Sequence, residues 1–221
     1  MAEPGRAGHG VAWHGMATQR NEPRRDIMDF RITFIGTRPL IMNNARMANP
    51  LDPATKAYKV VSGKRNKTEQ DLEELFRLGH AGALYIDPNY GPYLPMDNIW
   101  KSLEEGAMKH KLGPKIREGV LIKNDVNPLE YRGPRDMAGL YANESFKIIS
   151  MRVTGSGRGR KRVPFCRPIF REWKVEAEGT LDESILDLAE LSLAAEAAGQ
   201  RVGICDWHPK YGRFTATVVR A

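Results

Sequence analysis

The alternation of apolar and polar positions predicts short strands spread along the chain. Residues 31–38 alternate, with Ile32 and Phe34 on the same side, and a period of two is typical of a half-buried strand. Residues 40–42 give this strand a short apolar continuation. The same reasoning predicts further strands at residues 83–87, 93–95, 120–123, 170–179 and 214–219.

Apolar residues at helical spacing predict helices between these strands. One helix begins at Thr68, where a capping-box-like entry is followed by Leu72 and Leu75 on one face. Another helix is expected to be capped by Asp97 and to end near residues 112–114. Both helices therefore present one apolar face to a core.

The strongest helical pattern covers residues 181–198, and Gly199 is the expected C-cap. Before it, residues 124–146 are rich in prolines, glycines and turn residues, and we expect a loop-rich insertion over about 124–168. Strands and helices thus mix without regular βαβ repeats, which predicts an α+β fold. The closing strand, helix and strand would form half of a ferredoxin-like sheet.

The chain is long enough for one elaborated domain. Residues 1–27 are rich in Gly, Ala, Arg and His and show no periodicity, so we expect a disordered tail. Residues 28–221 then form a single α+β domain. An apolar fraction of 41% is sufficient for a buried core.

The charge of the chain favours a polyanionic partner. The formal net charge is +7, and residues 1–27, with four Lys/Arg and three Asp/Glu, account for only +1 of it. The remaining charge belongs to the predicted domain, and a basic domain attracts nucleic acid or an anionic membrane surface.

Other features of the sequence exclude several classes of protein. No apolar run approaches the roughly 20 residues that a membrane span needs, and the start has no apolar segment typical of a secretory signal. Cys166 and Cys205 have no metal-ligand spacing, and we interpret them as two reduced, partly buried thiols. We therefore expect a cytoplasmic protein without a membrane, metal or cofactor.

Three segments follow one another in an order found in a known family. Residues 37–42 (TRPLIM) end the opening strand, and residues 91–103 lead from a proline-containing strand into an apolar helix. Residues 199–214 combine Gly203 with the sequence YGRF at the start of the last strand. Together, these segments resemble the RAMP superfamily, the RRM-like proteins of CRISPR effector complexes.

The resemblance implies a ferredoxin- or RRM-like antiparallel sheet with helices on one face. The chain is most similar to the backbone-type subunits, which polymerise along a guide strand. This implies a nucleic-acid ligand and a homo-oligomer or filament. A similarity to uncharacterised tailed-phage proteins implies a stand-alone phage or bacterial protein, which would act in the bacterial host cytoplasm if it is phage-encoded.

The most basic stretch of the chain is residues 151–163. From Phe146 to Ile169 there are seven Lys/Arg and no acid, and glycines at 155, 157 and 159 allow the backbone to approach phosphates closely. Flanking strand-like residues predict a mobile basic hairpin that contacts phosphates; the alternative is a solvated loop with incidental charge. The predicted contacts are Arg152, Arg158, Arg160, Lys161 and Arg162.

Two further loops carry candidate nucleic-acid contacts. Lys64, Arg65 and Lys67 form a second basic loop. In the loop at 203–212, an aromatic beside basic residues is what base stacking over a charged groove requires. The candidates there are Trp207, Lys210 and Arg213, although Trp207 could instead fill the core at the sheet edge.

Catalysis is the less favoured hypothesis. If the chain is an enzyme, His208 with Lys210 and Tyr211 could act as a metal-independent endoribonuclease. However, a single histidine in a loop is usually an ordinary surface residue, and the carboxylates show no metal-site spacing.

We therefore expect a binding protein for single-stranded DNA or RNA that is largely independent of sequence and assembles along the strand. Two alternatives remain open. One is the endoribonuclease, and the other is a protein-interaction module, such as a phage assembly factor or an inhibitor of a host defence complex. In that case the basic loops would meet an acidic surface on a partner protein.

Overall fold

The computed structural model describes residues 26–154 and 161–221, with side chains except at 152–154 and 161–163. This part of the chain contains ten strands and six α-helices. The strands are β1 (Ile27–Gly36), β2 (Leu40–Ile41), β3 (Ile86–Asp87), β4 (Gly91–Pro95), β5 (Val120–Ile122), β6 (Val126–Glu130), β7 (Lys147–Thr154), β8 (Lys161–Phe170), β9 (Lys174–Asp182) and β10 (Phe214–Arg220). The helices are α1 (Pro53–Ser62), α2 (Glu69–Ala83), α3 (Met96–Met108), α4 (Gly113–Gly119), α5 (Met137–Ala142) and α6 (Leu188–Ala197).

Seven of the strands form one large antiparallel sheet. Its order is β10-β1-β9-β6-β4-β3, and β5 also pairs with β9. A second sheet is smaller, with the order β2-β8-β7. The fold is therefore α+β with a large antiparallel sheet and helices, as the sequence predicts.

Helices α3 and α6 cover one face of the large sheet. Alternate residues of β1 point into the core between sheet and helices, whereas Ile27 and Ile35 on the other face are more than half exposed. The helices approach each other closely at Gly106, where a Cβ atom would lie 2.3 Å from the carbonyl oxygen of Ala194. The buried residues of β1 are Met28, Phe30, Ile32 and Phe34.

The small sheet packs against α2. Gly79 of α2 lies over the backbone of Cys166 in β8, where a Cβ atom would be 3.3 Å from the carbonyl oxygen. Tyr58 of α1 contacts the ring of Phe165, with centroids 5.5 Å apart. The small sheet with α1 and α2 is thus a second layer beside the large sheet.

Several elements agree with the sequence predictions. The strand predicted at residues 31–38 is the larger part of β1, and the last strand is β10. The predicted capping box of α2 is confirmed, because Thr68 accepts a hydrogen bond from the backbone of Asp71 and the Asp71 carboxylate accepts one from Thr68. In the described residues no helix combines the length and the apolar character that a membrane crossing requires.

The predicted limits of α3 are wrong at both ends. Pro95 occupies the cap position, and Asp97 lies inside the first turn, where its charge favours the helix dipole without a capping bond. The helix ends at Met108, and residues 113–119 form the separate helix α4.

The largest error concerns the predicted insertion. Residues 126–130 form β6, which lies between β9 and β4 in the large sheet instead of in a loop. Pro128 has no N–H to donate, but β6 pairs with β9 only at Leu129 and Glu130, so no bond to β9 is lost at position 128. Its side chain is exposed, while Asn127 and Leu129 on either side are buried. The strand is too short, and its proline too prominent, for the pattern to be recognised from sequence.

The helix predicted over residues 181–198 begins later than expected. Leu181 and Asp182 continue strand β9, and the helix starts after Asp187, whose side chain forms a capping box with Glu190. Gly199 is not a C-cap either, because the chain continues there as a π-helical turn. A glycine is required at 199 for a different reason, since a Cβ atom would lie 2.2 Å from the Phe214 carbonyl oxygen.

Candidate functional site

The loop at residues 203–213, which connects α6 to β10, has a strained and defined shape. Cys205 and Trp207 are non-glycine residues with positive φ, 63° and 56°, a conformation that costs about 1–3 kcal/mol each. Gly212 also has positive φ, and a Cβ atom there would lie 2.0 Å from the carbonyl oxygen of Ile204. Such conformations persist only where the surrounding structure fixes them.

The link between β1 and β2 fixes this loop. The Gly212 N–H donates to the carbonyl of Pro39 at 2.8 Å, and the Arg38 N–H donates to the carbonyl of Arg213 at 3.1 Å. Two basic residues, Arg38 and Arg213, are therefore held next to each other although they are far apart in the sequence.

A groove opens between this loop and the small sheet, and we call it the basic groove. Its volume is about 580 Å³. Four of its lining residues are cationic and none is acidic, so the groove attracts anions. The lining residues are Arg38, Pro39, Ile148, Ile169, Arg171, Pro209, Lys210, Tyr211 and Arg213.

The cations of the groove differ in how firmly they are held. Arg213 is half-buried, and its Nε donates to the carbonyl of Pro209 at 2.6 Å. Lys210 lies over the ring of Tyr211, with Nζ 5.6 Å from the centroid. Arg38 and Arg171 are exposed. Exposed cations around an aromatic ring can bind phosphates while a base stacks on the ring.

Next to the groove, aromatic rings and one guanidinium form a continuous row of contacts, which we call the aromatic stack although the Trp207 and Tyr211 rings are tilted by 50°. The rings of Tyr211 and Trp207 lie 5.7 Å apart. The Arg167 guanidinium is 5.1 Å from the Trp207 ring and 5.1 Å from the Phe165 ring. Trp207, which the sequence suggested for base stacking, is half-buried in this stack, and the aromatic residue that lines the groove is Tyr211.

His208 faces a different depression on the other side of the loop. This cleft has a volume of about 180 Å³ and is lined by His208 together with Tyr85, Asn98 and Ser102, among others. Lys210 and Tyr211 line the basic groove instead. The three residues that we considered as a catalytic set are therefore not brought together in one site.

The thiol in this cleft is not poised for nucleophilic chemistry. Burial of the sulfur raises the pKa of Cys205 to about 12, although the Asn98 amide donates to Sγ at 3.3 Å. Burial also raises the pKa of Cys166 to about 11. Both thiols are therefore protonated near neutral pH, and a protonated thiol is a poor nucleophile.

The second basic loop, with Lys64, Arg65 and Lys67, lies at the start of α2. Lys64 Nζ contacts Asp71 Oδ1 at 2.5 Å, and this hydrogen bond lowers the pKa of Asp71. Lys67 Nζ donates to the carbonyl of Lys64 at 2.7 Å. Two of the three predicted contacts therefore also hold the loop in place, and Arg65 is exposed.

The predicted basic hairpin is present as the antiparallel pair β7–β8. In its register, Arg152 lies opposite Val163, and Arg162 and Lys161 lie opposite residues 153 and 154. Arg158 and Arg160 lie outside the described residues. The pairing of the strands is confirmed, and the phosphate contacts remain a prediction.

Two other basic residues of the hairpin strands are used in contacts within the protein. Lys147 pairs with Glu144 at 2.6 Å and lies 4.6 Å from the ring centroid of Tyr141. Arg167 is buried and forms an ion pair with Asp206 of the 203–213 loop. The positive charge of this stretch is therefore only partly available to a ligand.

Sequence reasoning missed Arg38 and Arg171 as groove residues. Each follows a strand end, and nothing in its local sequence distinguishes it from other surface arginines. They meet because Leu40 and Ile41 of β2 pair with Phe170 and Ile169 of β8.

The open face of the large sheet has a different character from the groove. Its positions on β1, β9 and β10 carry no aromatic side chain in this part of the structure. The cations there are paired, as Arg31 with Glu178 at 3.0 Å and Lys174 with Glu176 at 2.9 Å. This face therefore offers neither stacking nor unbalanced positive charge.

Across the described ranges, no group of three or more His, Cys, Asp or Glu side chains is placed to hold a metal ion. No protein-family model matches the chain, and none of the curated proteins matches it significantly.

Proposed function

We propose that this chain binds single-stranded DNA or RNA through the basic groove, largely independently of sequence. The observation that carries the proposal is a groove with four cationic residues, one aromatic ring and no acid in its lining. Each bound phosphate releases counterions, which favours binding at low salt. The Tyr211 ring can stack on a base of any identity, and only unpaired bases are free to stack in this way.

Two other basic segments would extend this interface. The β7–β8 hairpin begins at the groove, since Ile148 and Ile169 belong to its strands and also line the groove. The loop with Lys64, Arg65 and Lys67 precedes α2, which packs on β8. A strand leaving the groove along the hairpin would therefore meet further positive charge.

We also propose a ferredoxin-like arrangement for the centre of the large sheet. The order β10-β1-β9-β6, with α3 after β1 and α6 between β9 and β10, supports this assignment. The resemblance of three segments to RAMP backbone subunits agrees with it. It also supports assembly of several copies along one nucleic-acid strand.

The test is fluorescence anisotropy of a labelled strand of about 30 nucleotides, as single-stranded DNA, single-stranded RNA and duplex, over a range of salt concentrations. The variant changes all four groove cations to glutamine. Because each phosphate contact on a single strand contributes a slope of about 0.7, we expect the salt dependence to weaken by up to about 3 and affinity to fall at least 100-fold at low salt. The substitutions are Arg38→Gln, Arg171→Gln, Lys210→Gln and Arg213→Gln.

Two double variants give the comparison at equal charge: Arg171→Gln with Lys210→Gln in the groove, and Lys109→Gln with Lys111→Gln outside it. Both of the latter lysines are exposed just beyond the end of α3 and do not line the groove. We expect the groove pair to lower the salt slope by about 1.4 and the other pair to bind like the wild type. Equal losses in the two double variants would mean that only overall charge matters. No binding by the wild type would leave a protein partner with an acidic surface as the explanation of the groove. Cleavage of the RNA that His208→Ala abolishes would favour the endoribonuclease.

A further inference from the structure

Arg167 lies beside two wall residues of the basic groove, on the same face of the small sheet. It stands opposite Ile148 in the β7–β8 pairing and two residues before Ile169, and both isoleucines line the groove. Arg167 itself is only 6% exposed and is not among the lining residues. A buried arginine at this position cannot contact a ligand in the groove directly.

Arg167 instead joins the two walls of the groove. On the loop side it forms an ion pair with Asp206, and its guanidinium lies against the Trp207 ring. On the hairpin side it lies against Phe165 of its own strand. The Trp207 ring continues the contact to Tyr211, which lines the groove. One side chain thus connects the small sheet to the aromatic residue on the opposite wall.

We propose that Arg167 is a positioning residue, which holds Tyr211 at the distance from the hairpin that a bound strand requires. The proposal rests on the proposed function of the groove. A planar guanidinium can stack between two rings and pair with a carboxylate at the same time, whereas a lysine ammonium retains the charge and loses the stacking. Arg167→Lys therefore separates the geometric role from the charge.

The experiment measures binding of the same labelled single strand at several salt concentrations. We expect Arg167→Lys to weaken binding about 5- to 10-fold, a loss between those of a cation–π contact at an exposed site and at a fully desolvated one, because the lysine retains the charge and loses the planar contact. The salt dependence should not change, because Arg167 contacts no phosphate. Lys210→Gln is the comparison, and it should reduce the slope by about 0.7.

A double-mutant cycle then tests whether Arg167 acts through Tyr211. We expect Tyr211→Ala to weaken binding in the wild type and to have much less effect in the Arg167→Lys background. Fully additive effects, or a salt slope that falls in Arg167→Lys as it does in Lys210→Gln, would overturn the proposal. If Arg167→Lys does not fold, Trp207→Leu breaks the same stack from the other side and must give the same pattern.

A third measurement does not depend on the ligand. Fluorotyrosine is incorporated into the full chain, and the ¹⁹F signal of residue 211 is assigned from Tyr211→Phe. Arg167→Lys should shift or broaden this signal and leave the signal of exposed Tyr90 unchanged. An unchanged signal at 211 would overturn the positioning role. A shifted signal in a protein that binds no strand would support the positioning role and reject the proposed function.

Discussion

Two surfaces of this protein both carry basic residues and differ in what surrounds these residues. On the open face of the large sheet, Arg31 and Lys174 each have a glutamate within 3.0 Å. In the basic groove, four cations line one depression that contains no acid. The charges of an ion pair on an exposed face largely cancel for a ligand more than a few ångströms away, so of these two surfaces the groove is the one that presents a positive potential.

The difference shows why net charge alone does not locate a binding site. The chain has a net charge of +7, and basic residues occur in most of its segments. The positions of the acidic residues, which are concentrated on the sheet and the helices, determine which basic residues are available to a ligand. The following predictions test this comparison, from the largest expected effect to the smallest.

Among single substitutions, one that places an acid in the groove should have the largest effect. Ile148 is half-buried in the groove wall, and Ile148→Glu would place a carboxylate among the four cations and next to the phosphates. Like charges brought together at an interface cost a few kcal/mol, so we expect single-strand affinity to fall roughly 50-fold. Ile148→Gln is the control for polarity, and a similar loss in this variant would show that the apolar contact matters instead of the charge.

A fall in pH should destabilise the small sheet with α1 and α2, which supports the groove, before it breaks the ion pairs on the face of the large sheet. Burial of His80 in α2, together with the nearby charge of Lys147, lowers its pKa to about 4, so the imidazole is neutral in the folded state. The unfolded chain binds this proton near pH 6.5, and stability is therefore lost as the pH falls from about 6.5 towards 4. We expect a loss of about 2 kcal/mol between pH 7 and pH 5, measured by urea unfolding.

The variant His80→Leu isolates the contribution of His80 to the pH dependence of stability. His80→Leu should show a flatter pH dependence of stability than the wild type over the same interval, because leucine binds no proton in either state. The hydrogen bond from Lys174 lowers the pKa of Glu176, so the ion pair on the sheet face persists at pH 5. An unchanged pH dependence in His80→Leu would contradict the prediction.

Removing the aromatic ring should have an intermediate effect. Stacking of one base on an aromatic side chain contributes about 1–3 kcal/mol, so we expect Tyr211→Ala to weaken single-strand binding about tenfold. Tyr211→Phe should retain most of the affinity, because it keeps the ring. The control is Tyr90→Ala, since Tyr90 is exposed and lies outside the groove. Equal losses from the two alanine variants would argue against a stacking site at 211.

Freeing the cations of the sheet face should have the smallest effect. The double variant Glu176→Gln with Glu178→Gln leaves Arg31 and Lys174 without these partners. We expect affinity for the single strand to rise less than threefold, with a change in salt slope below about 1, because the face has no ring for stacking. A larger gain would mean that the sheet face is a second site.

Elements with local signals were predictable from the sequence. The α2 capping box depends on Thr68 and Asp71, which are three residues apart, and the alternation of β1 is visible in one short segment. Strand β6 was not predictable, because its place in the sheet depends on pairing with β9 and β4, and Pro128 is typical of a loop.

Of the residues that line the groove, those of the 203–213 loop were predictable from the sequence, whereas those on the opposite side were not. Lys210, Tyr211 and Arg213 stand close together in the sequence beside glycines, and this combination indicated a loop that contacts a ligand. Arg38 and Arg171 reach the same place through the β2–β8 pairing, which no local pattern reveals. Arg167 was counted with the basic stretch, and its burial follows from contacts with residues of a distant loop.

The link of three residues, 37–39, between β1 and β2 joins the two sheets and also forms part of the groove. A second connection of three residues, 171–173, joins β8 of the small sheet to β9 of the large sheet, and its Arg171 also lines the groove. A strand bound in the groove would therefore contact both of these short links between the two sheets at once, through Arg38 and Arg171. The amide hydrogens of Thr37 and Arg38, both bonded to the carbonyl of Arg213, would exchange with solvent more slowly once the groove is occupied.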